Sequence, residues 1–459
     1  MTSRSSMTLE APPLRERSSS MHAEADAART RRLPEVERQP ATHPRSATAS
    51  QSPPVAAVTI VGCGLVSPLG DSPEAIHAAL CEGVEPTTEA ARLELDEAIF
   101  GGGNLRPLDR AGRLAIAAAQ HALDDAGWTR AHREATEVGL VHGTLFGCLD
   151  TVIRFDRRAL EAGPRYVKPF EFANTVINAA AGQTAIWHHL RGLNSTVAGG
   201  GSVGLEAVAT ACDHLIAGRG DAVLAGGGDA WCDELQEAFA ERGALASQPP
   251  IPFGDGRDGV RLGESAAYLA LERRRTDAAG GGENDASAPS VEILGQGLAF
   301  DPSRGRSVEA FADAMARAQR EALGAASLAP ETVDLVAVSA CGDPRLDASE
   351  ARALDAVFGT RARDLPWLAT RPALGVAFGA DGGLQLAIAA QCLRTRMVPP
   401  TPDAAAFDPA LPKRWSARRA IDLGPRTALV HAAGHDGKSC ALVLSLRTFD
   451  SQETDRANL

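Results

Sequence analysis

The sequence has few of the residues on which several classes of protein depend. Aromatic residues make up 4% of its 459 residues, and lysine occurs only at Lys168, Lys413 and Lys438. Its eight cysteines form no C-x-x-C pair and no zinc-like set, which argues against a disulfide framework and against a structural metal site. No run approaches about 18 apolar residues, so the sequence predicts no transmembrane helix.

The charge balance gives no sign of a nucleic-acid or membrane-binding surface. The chain has 46 basic and 58 acidic residues, a net charge of −12, whereas such surfaces are basic. Hydrophobic residues at 44% and charged residues at 23% are typical of a soluble globular protein. We therefore expect a cytoplasmic protein with a large buried core.

The first 55 residues differ from the rest of the chain. They contain eight arginines, six acidic residues and seven prolines but no aromatic residue, and such a segment buries too little apolar surface to offset its chain entropy. They also lack the apolar core of a secretory signal, and their acidic residues argue against a transit peptide. We predict a disordered N-terminal tail at residues 1–55 and a short C-terminal tail at residues 447–459.

Between the tails, short apolar runs alternate with helical patterns, which is typical of an α/β protein. A predicted loop at residues 276–289 separates an N-terminal half, residues 56–289, from a C-terminal half, residues 290–446. Because both halves follow a similar pattern, we expect an internal duplication. The predicted strands are 58–61, 139–141, 195–198, 222–225, 266–271, 291–294, 334–338, 367–370, 427–430 and 441–446. One predicted helix begins at Ser72-Pro73. Four others span 109–126, 308–323, 349–358 and 383–393.

A glycine-rich turn follows the predicted strand at 195–198 and precedes a helix. Gly199, Gly201 and Gly204 match G-x-G-x-x-G, a pattern that can bind a pyrophosphate through backbone amides. Asp221 precedes a strand instead of ending one, which is the wrong position for binding a ribose. The turn therefore indicates either close backbone packing or a nucleotide-binding enzyme.

Four segments together resemble the β-ketoacyl-[acyl carrier protein] synthases, over about residues 56–446. They are VTIVGCGLVSPLG from Val58, DRAGRLAIAAA from Asp109, PFGDGRDG from Pro252 with Gly263-Glu264, and MVPPT from Met397. The resemblance implies a thiolase-like five-layer αβαβα sandwich that is built from two duplicated halves. It also implies dimerisation through the strand that precedes the glycine turn.

Condensing members of that family use one cysteine nucleophile and two histidines. Aligned with the family motifs, this sequence has Gly201 at the cysteine position, and Ser339 and Val376 at the two histidine positions. Arg371 stands where the family has a lysine. The resemblance assigns structural roles, as buried ion-pair or hydrogen-bond partners, to other motif residues: Arg257, Asp258, Glu264, Asp347 and Glu350.

These replacements predict a catalytically silent subunit of the kind called a chain length factor. Such a subunit pairs with a ketosynthase that keeps the cysteine and both histidines, and it shapes the acyl tunnel of a type II polyketide or related synthase. We expect a heterodimer that acts on acyl carrier protein-bound chains, without cofactor or metal. The candidate tunnel-lining residues, which could equally be core residues, are Cys148, Leu149, Val152, Ile153 and Phe155. The alternative is a stand-alone acyltransferase that uses Cys341.

Overall fold

The structure is a computed structural model, and it describes residues 57–84, 89–90, 92–273, 289–401, 406–412 and 415–447. The predicted tail at residues 1–55 lies outside the described residues. So do the predicted loop, except for Pro289, and the C-terminal tail after Arg447. Among the described residues, no helix is both long enough and apolar enough to cross a membrane.

The strands are β1 Val58–Val66, β2 Gly139–Thr144, β3 Asn194–Ala198, β4 Ala222–Asp229, β5 Ser265–Arg273, β6 Ser290–Phe300, β7 Leu335–Ala337, β8 Trp367–Leu368, β9 Met397–Val398, β10 Ile421–Asp422, β11 Thr427–Ala433 and β12 Lys438–Arg447. The α-helices are α1 Pro73–Glu82, α2 Arg110–Asp125, α3 Arg130–Thr136, α4 Leu149–Glu161, α5 Pro169–Phe172, α6 Ala179–His188, α7 Val203–Ile216, α8 Asp233–Glu241, α9 Val308–Ala325, α10 Pro344–Phe358, α11 Arg371–Leu374 and α12 Asp381–Thr395. Short 3₁₀ helices span Glu97–Phe100, Pro164–Tyr166, Pro330–Thr332, Gly359–Arg363 and Phe378–Ala380.

The main sheet has ten strands in the order β3-β2-β4-β5-β1-β6-β12-β11-β7-β8. The first five belong to the N-terminal half and the last five to the C-terminal half. When the strands of each half are numbered in chain order, both halves read 3-2-4-5-1 from the outer edge to the centre. The parallel and antiparallel pairings also match. The two halves meet where β1 pairs with β6 over three residue pairs, so the topology confirms the predicted duplication.

The helices form three layers around the two halves of this sheet. Helices α2 and α6 cover the outer face of the N-terminal half, and α9 and α10 cover that of the C-terminal half. Helices α7 and α12 lie between the halves, where both contact β4 and β12. This arrangement confirms the five-layer αβαβα sandwich.

Local signals explain where the helices begin. The Ser72 side chain accepts a hydrogen bond from Ala75 N at the start of α1, and Asp109 accepts one from Gly112 N at the start of α2. The predicted helix 349–358 starts too late, because α10 begins at Pro344. Asp343 caps that helix through Leu346 N, and proline suits the first helical position.

Other predicted boundaries are also wrong. The strands that were predicted at 58–61, 222–225 and 291–294 extend to Val66, Asp229 and Phe300. The predicted strand 367–370 ends at Leu368, because the chain turns into the short helix α11 at Arg371. The predicted helix 383–393 begins two residues earlier, at Asp381, whose acidic side chain suits the first turn of a helix.

The central helices α7 and α12 meet through glycines. A Cβ built on Gly204 would lie 2.4 Å from the carbonyl oxygen of Gly379, and one built on Gly382 would lie 2.2 Å from the backbone nitrogen of Leu205. Only glycine permits backbones to approach this closely. The glycine turn after β3 therefore has a packing role through Gly204.

We expect Gly382→Ala to destabilise the fold, because the new methyl group would overlap the α7 backbone and overpacking costs about 1–3 kcal/mol. Gly324→Ala is the matched control, since a Cβ on Gly324 meets no atom within 4 Å. Guanidinium unfolding monitored by circular dichroism measures both variants. Equal stability of the two would contradict backbone contact between the central helices.

Candidate functional site

The glycine turn between β3 and α7 brings Gly201 to the N-terminal end of a central helix. A Cβ built on Gly201 would lie 2.9 Å from the carbonyl oxygen of Ala433 and 3.1 Å from the Cα of Gly434. A Cβ on the preceding Gly200 would lie 2.1 Å from a carboxylate oxygen of Asp436. The turn between β11 and β12 therefore packs directly on the position where the family resemblance places the cysteine.

Charged side chains from two segments surround this turn. Ser202 donates a hydrogen bond of 2.6 Å to Glu206, and the Lys438 ammonium lies 3.2 Å from the other oxygen of that carboxylate. With Asp436 against Gly200, two acidic side chains surround the N-terminus of α7. A pyrophosphate would meet negative charge here, so the surroundings disfavour the nucleotide-binding alternative.

Ser339 follows β7 and is completely buried. Its hydroxyl donates to the carbonyl oxygen of His431 at 3.3 Å and accepts a hydrogen bond from Ala433 N at 2.8 Å. Its backbone nitrogen donates to Glu350, which also contacts His431 at 2.6 Å. The hydroxyl therefore makes its hydrogen bonds within the protein, where it links the segment after β7 to β11.

A buried ion pair connects two of the candidate positions. Arg371 Nε lies 3.0 Å from Asp381 Oδ2, and both side chains are only 2% exposed. The other guanidinium nitrogens donate to the carbonyl oxygens of Ser339 and, at 3.4 Å, of Gly201. Burial lowers the pKa of Arg371, but the surrounding acidic groups, Asp381 first and then Cys341 and Glu350, together raise it above its usual value, so the guanidinium stays charged.

Val376 lies near the same centre on a short extended segment. Its nitrogen donates to the carbonyl oxygen of Arg261 at 2.8 Å, and its own carbonyl accepts from Gly263 N at 3.0 Å. Its side chain packs against a buried cluster that includes Cys341 and Phe378. An isopropyl group at this position can neither donate nor accept a proton.

Cys341 lies inside this cluster and is 3% exposed. Burial raises the pKa of its thiol well above the usual value, which disfavours the thiolate that nucleophilic attack requires. Its backbone nitrogen donates to Asp347, and that buried carboxylate also accepts hydrogen bonds from Phe253 N and Gly342 N. The surroundings of Cys341 therefore disfavour the stand-alone acyltransferase.

The motif residues Glu264, Arg257 and Asp258 differ in how deeply they are buried. Glu264 is fully buried, pairs with Arg110 and accepts a hydrogen bond from Trp231 N at 2.8 Å. Arg257 lies 2.7 Å from Asp408 with 8% of its side chain exposed. The expected burial of Asp258 is wrong, because Asp258 is exposed and accepts a hydrogen bond from the backbone of Ser247 at the surface.

The candidate tunnel residues lie at the start of α4 and along it. Cys148 is buried, whereas Leu149, Val152, Ile153 and Phe155 are partly exposed. Leu149 packs against the same buried cluster as Val376 does, and the ring of Phe155 lies 6.1 Å from that of Phe172. The structure therefore brings Leu149 to the candidate site and leaves the later residues of α4 further along the helix.

The sequence motifs did not identify two acidic residues near the site, Asp229 and Asp343. Asp229, at the end of β4, accepts hydrogen bonds from Thr144 Oγ1 and from the nitrogens of Phe146 and Gly379. The sequence signal that could have identified Asp229 is the position of an acidic residue at the end of an apolar strand. Asp343 lies 3.3 Å from His435; burial raises the pKa of this carboxyl, but the hydrogen bond and charge of His435 hold it below its usual value.

Comparison with known proteins agrees with this arrangement of motifs. Residues 90–277 match the model of the β-ketoacyl synthase N-terminal domain, and residues 291–405 match that of the C-terminal domain. Together the two models cover more than half of the chain. The 3-oxoacyl-[acyl-carrier-protein] synthase 2 of Coxiella burnetii is 28% identical over 415 residues, which are 86% of this chain and 99% of the relative. The synthase 2 of Rhizobium meliloti is 28% identical over 376 residues, which are 75% and 88% of the two chains.

Solved structures agree on the fold. The ishigamide ketosynthase/chain length factor superposes with a TM-score of 0.75 at 26% identity, covering 86% of this chain and all of that chain. The complex of the ketosynthase ApeO with its chain length factor ApeC from Xenorhabdus doucetiae gives a TM-score of 0.71 at 18% identity, covering 87% of this chain and all of that chain. On the matched domains and this shared fold, the chain belongs to the β-ketoacyl synthase family.

Proposed function

We propose that this chain is a catalytically silent β-ketoacyl synthase subunit, a chain length factor. It pairs with a ketosynthase that retains cysteine and both histidines, and it shapes the acyl tunnel of a type II polyketide or related synthase. The observation that carries the proposal is the chemistry around Gly201, Ser339 and Val376. None of these residues offers a free nucleophile or a proton donor.

Each step of condensation lacks its reacting group. Gly201 has no atom that can form a thioester, so the covalent step is lost. The Ser339 hydroxyl is engaged by His431 and Ala433, and Val376 cannot stabilise a developing enolate. Removal of one such donor typically costs about 2.7–4 kcal/mol of transition-state stabilisation. The relatives from Coxiella and Rhizobium are named as synthases, so the proposal rests on these three positions.

The outer surface supports pairing with a second chain. Strand β3 forms one edge of the main sheet and, among the strands that the structure describes, pairs with β2 alone. An unpaired edge strand is a template for another chain. The segment from α4 to α6 also exposes large apolar side chains: Leu160, Tyr166, Phe170, Phe172, Val176, Ile177 and Ile186. We call these seven residues the apolar face. An exposed apolar cluster of this kind marks an interaction surface.

Known assemblies indicate the kind of partner. The ishigamide and Xenorhabdus structures are named as ketosynthase and chain length factor pairs, and another structure of this fold holds a type II acyl-carrier protein with its ketosynthase. We therefore infer that the partner is a ketosynthase and that the substrates are carried by an acyl carrier protein.

We expect the isolated chain to acquire no thioester when it is incubated with an acyl-loaded acyl carrier protein. The Gly201→Cys variant should show no condensation with a malonyl-loaded carrier protein, because no histidine stands at position 339 or 376. Intact-protein mass spectrometry measures the first result and product analysis the second. A ketosynthase with an intact triad is the positive control. Covalent loading of the native chain or turnover by the variant would overturn the proposed silence.

We expect Ile186→Asp to reduce co-purification with a co-expressed partner ketosynthase by at least about tenfold, because a charge would be buried in the contact. Ile186 is 78% exposed, so the isolated variant should remain folded. Ile421→Asp is the matched control, since Ile421 is exposed but lies outside the apolar face. Equal recovery of partner with both variants would show that the apolar face is not the contact.

We expect Leu149→Trp and Val152→Trp to shorten the product of the complex by at least one extension unit, because the larger side chains would reduce the space that the tunnel offers to the acyl chain. Asp313→Trp, at an exposed position of α9 outside the apolar face, should leave the product unchanged. Mass spectrometry of the released chains gives the comparison. Native chain length in both tunnel variants would reject α4 as a wall.

A further inference from the structure

A cavity of about 330 Å³ lies beside α11. Its wall is formed by the end of α1, residues 250–252, strand β8, the start of α11 and residues 399–401. Trp367 and Leu368 in this wall are buried, whereas Gly83 and Val84 are at least partly exposed, so the cavity reaches the surface beside α1. Its volume lies within the range of about 300–1,000 Å³ that is typical of small-molecule sites.

The wall of this cavity is rich in proline. Five of the described lining residues are prolines: Pro250, Pro252, Pro372, Pro399 and Pro400. The proline ring fixes φ at about −65°, which limits how far these segments can move into the cavity. The wall is therefore largely formed before any ligand binds. We call this site the proline cavity.

Trp367 supplies the aromatic part of the wall and is held from two sides. Its indole nitrogen donates a hydrogen bond of 2.8 Å to the carbonyl oxygen of Trp415. Its ring lies 5.4 Å from that of Phe253 and is nearly perpendicular to it. Because the polar atom of Trp367 is used within the protein, its ring offers the proline cavity an apolar aromatic surface.

The α11 side of the wall is anchored at the centre of the protein. Arg371 pairs with Asp381, whereas the next two residues, Pro372 and Ala373, line the proline cavity. Arg261 donates to the carbonyl oxygens of both, at 3.3 Å from that of Pro372 and 2.8 Å from that of Ala373. A movement of α11 into the cavity would break these hydrogen bonds, so the cavity cannot close at low cost.

The proline cavity offers a ligand little hydrogen bonding. Among the described residues that line it, none is charged, and Trp367 and Thr401 have the only polar side-chain atoms. The Thr401 hydroxyl accepts a hydrogen bond of 2.9 Å from Ala417 N, and a hydroxyl can also donate one. An ionised ligand would lose its hydration without gaining a charged partner. The lining therefore favours an uncharged ligand with one acceptor atom.

The volume sets the size of that ligand. An apolar cavity of about 150 Å³ holds one benzene ring, so one of about 330 Å³ has room for two fused rings and a short substituent. We propose that the proline cavity binds a compact two-ring aromatic molecule that carries one carbonyl group. The carbonyl oxygen accepts the hydrogen bond of Thr401, and the rings lie against Trp367. This inference does not depend on the proposed function.

The first test uses the full chain and 2-acetylnaphthalene as the probe. At saturating probe, the midpoint of thermal unfolding should rise by at least about 2 °C, because binding to the folded state stabilises it. Naphthalene-2-carboxylate, which has the same rings and a negative charge, should cause no shift. No shift with the ketone would overturn the proposal, and so would an equal shift with the carboxylate.

Two variants locate the bound ketone. Ala373→Leu should abolish the thermal shift, because the larger side chain fills part of the cavity, and Val84→Trp at its mouth gives the same test if Ala373→Leu does not fold. Ile216→Trp is the matched control, because Ile216 is 44% exposed and does not line the proline cavity. The native shift in folded cavity variants would place the ketone elsewhere and overturn the proposal.

The hydrogen bond of Thr401 is tested by calorimetric titration of Thr401→Val, which has nearly the same shape. This variant should bind 2-acetylnaphthalene about three- to tenfold more weakly than native protein, since one neutral hydrogen bond is lost. It should bind 2-ethylnaphthalene, which has no acceptor, with native affinity. Thr401→Ser keeps the hydroxyl and should retain the native preference for the ketone. Equal weakening of both probes by Thr401→Val would contradict the assigned hydrogen bond.

Discussion

The buried pair between Arg371 and Asp381 is the interaction on which the centre of this protein depends. A buried charge is tolerated only when it is paired and its remaining polar groups are satisfied. Here the guanidinium reaches Asp381 and the carbonyl oxygens of Ser339 and Gly201, while Asp381 accepts Ala377 N. One pair thus links the end of β7, the turn before α7 and the start of α12. Removal of either partner would leave the other charge uncompensated, at a typical cost of about 3–5 kcal/mol.

This constraint has a chemical consequence for the site. Catalysis of acyl transfer needs a nucleophile and donors that are free to meet the substrate. In this centre, Arg371 makes three hydrogen bonds to protein groups, and the Ser339 hydroxyl bonds to two backbone atoms. The polar groups therefore hold the fold together at the place where a condensing enzyme would present them to substrate. The same change explains the proposed silence.

Local signals in the sequence predicted much of the fold and less of the site. Apolar runs marked the long strands, and Ser72 and Asp109 marked the starts of two helices. The start of α10 was missed although Asp343-Pro344 is a cap signal, because the apolar pattern begins later. The motif resemblance placed Gly201, Ser339 and Val376, but it gave the wrong environment for Asp258. Asp229 bonds to Gly379, 150 residues further along the chain; such a contact depends on tertiary packing, which no local pattern encodes.

The duplicated topology explains why Asp229 and Asp381 both form hydrogen bonds with the backbone beside Phe378. Helices α7 and α12 follow β3 and β8, which occupy equivalent outer positions in the two halves. Because Gly204 and Gly382 bring these helices into backbone contact, the segment before α12 lies against β4 of the other half. Asp229 at the end of β4 can then bond to Gly379 while Asp381 bonds to Ala377. The positive φ angle of Phe378, +50°, which a bulky residue rarely adopts, is thus a product of the interface between the halves. The segment that carries Val376 is therefore held by carboxylates from its own half, through Asp381, and from the other half, through Asp229.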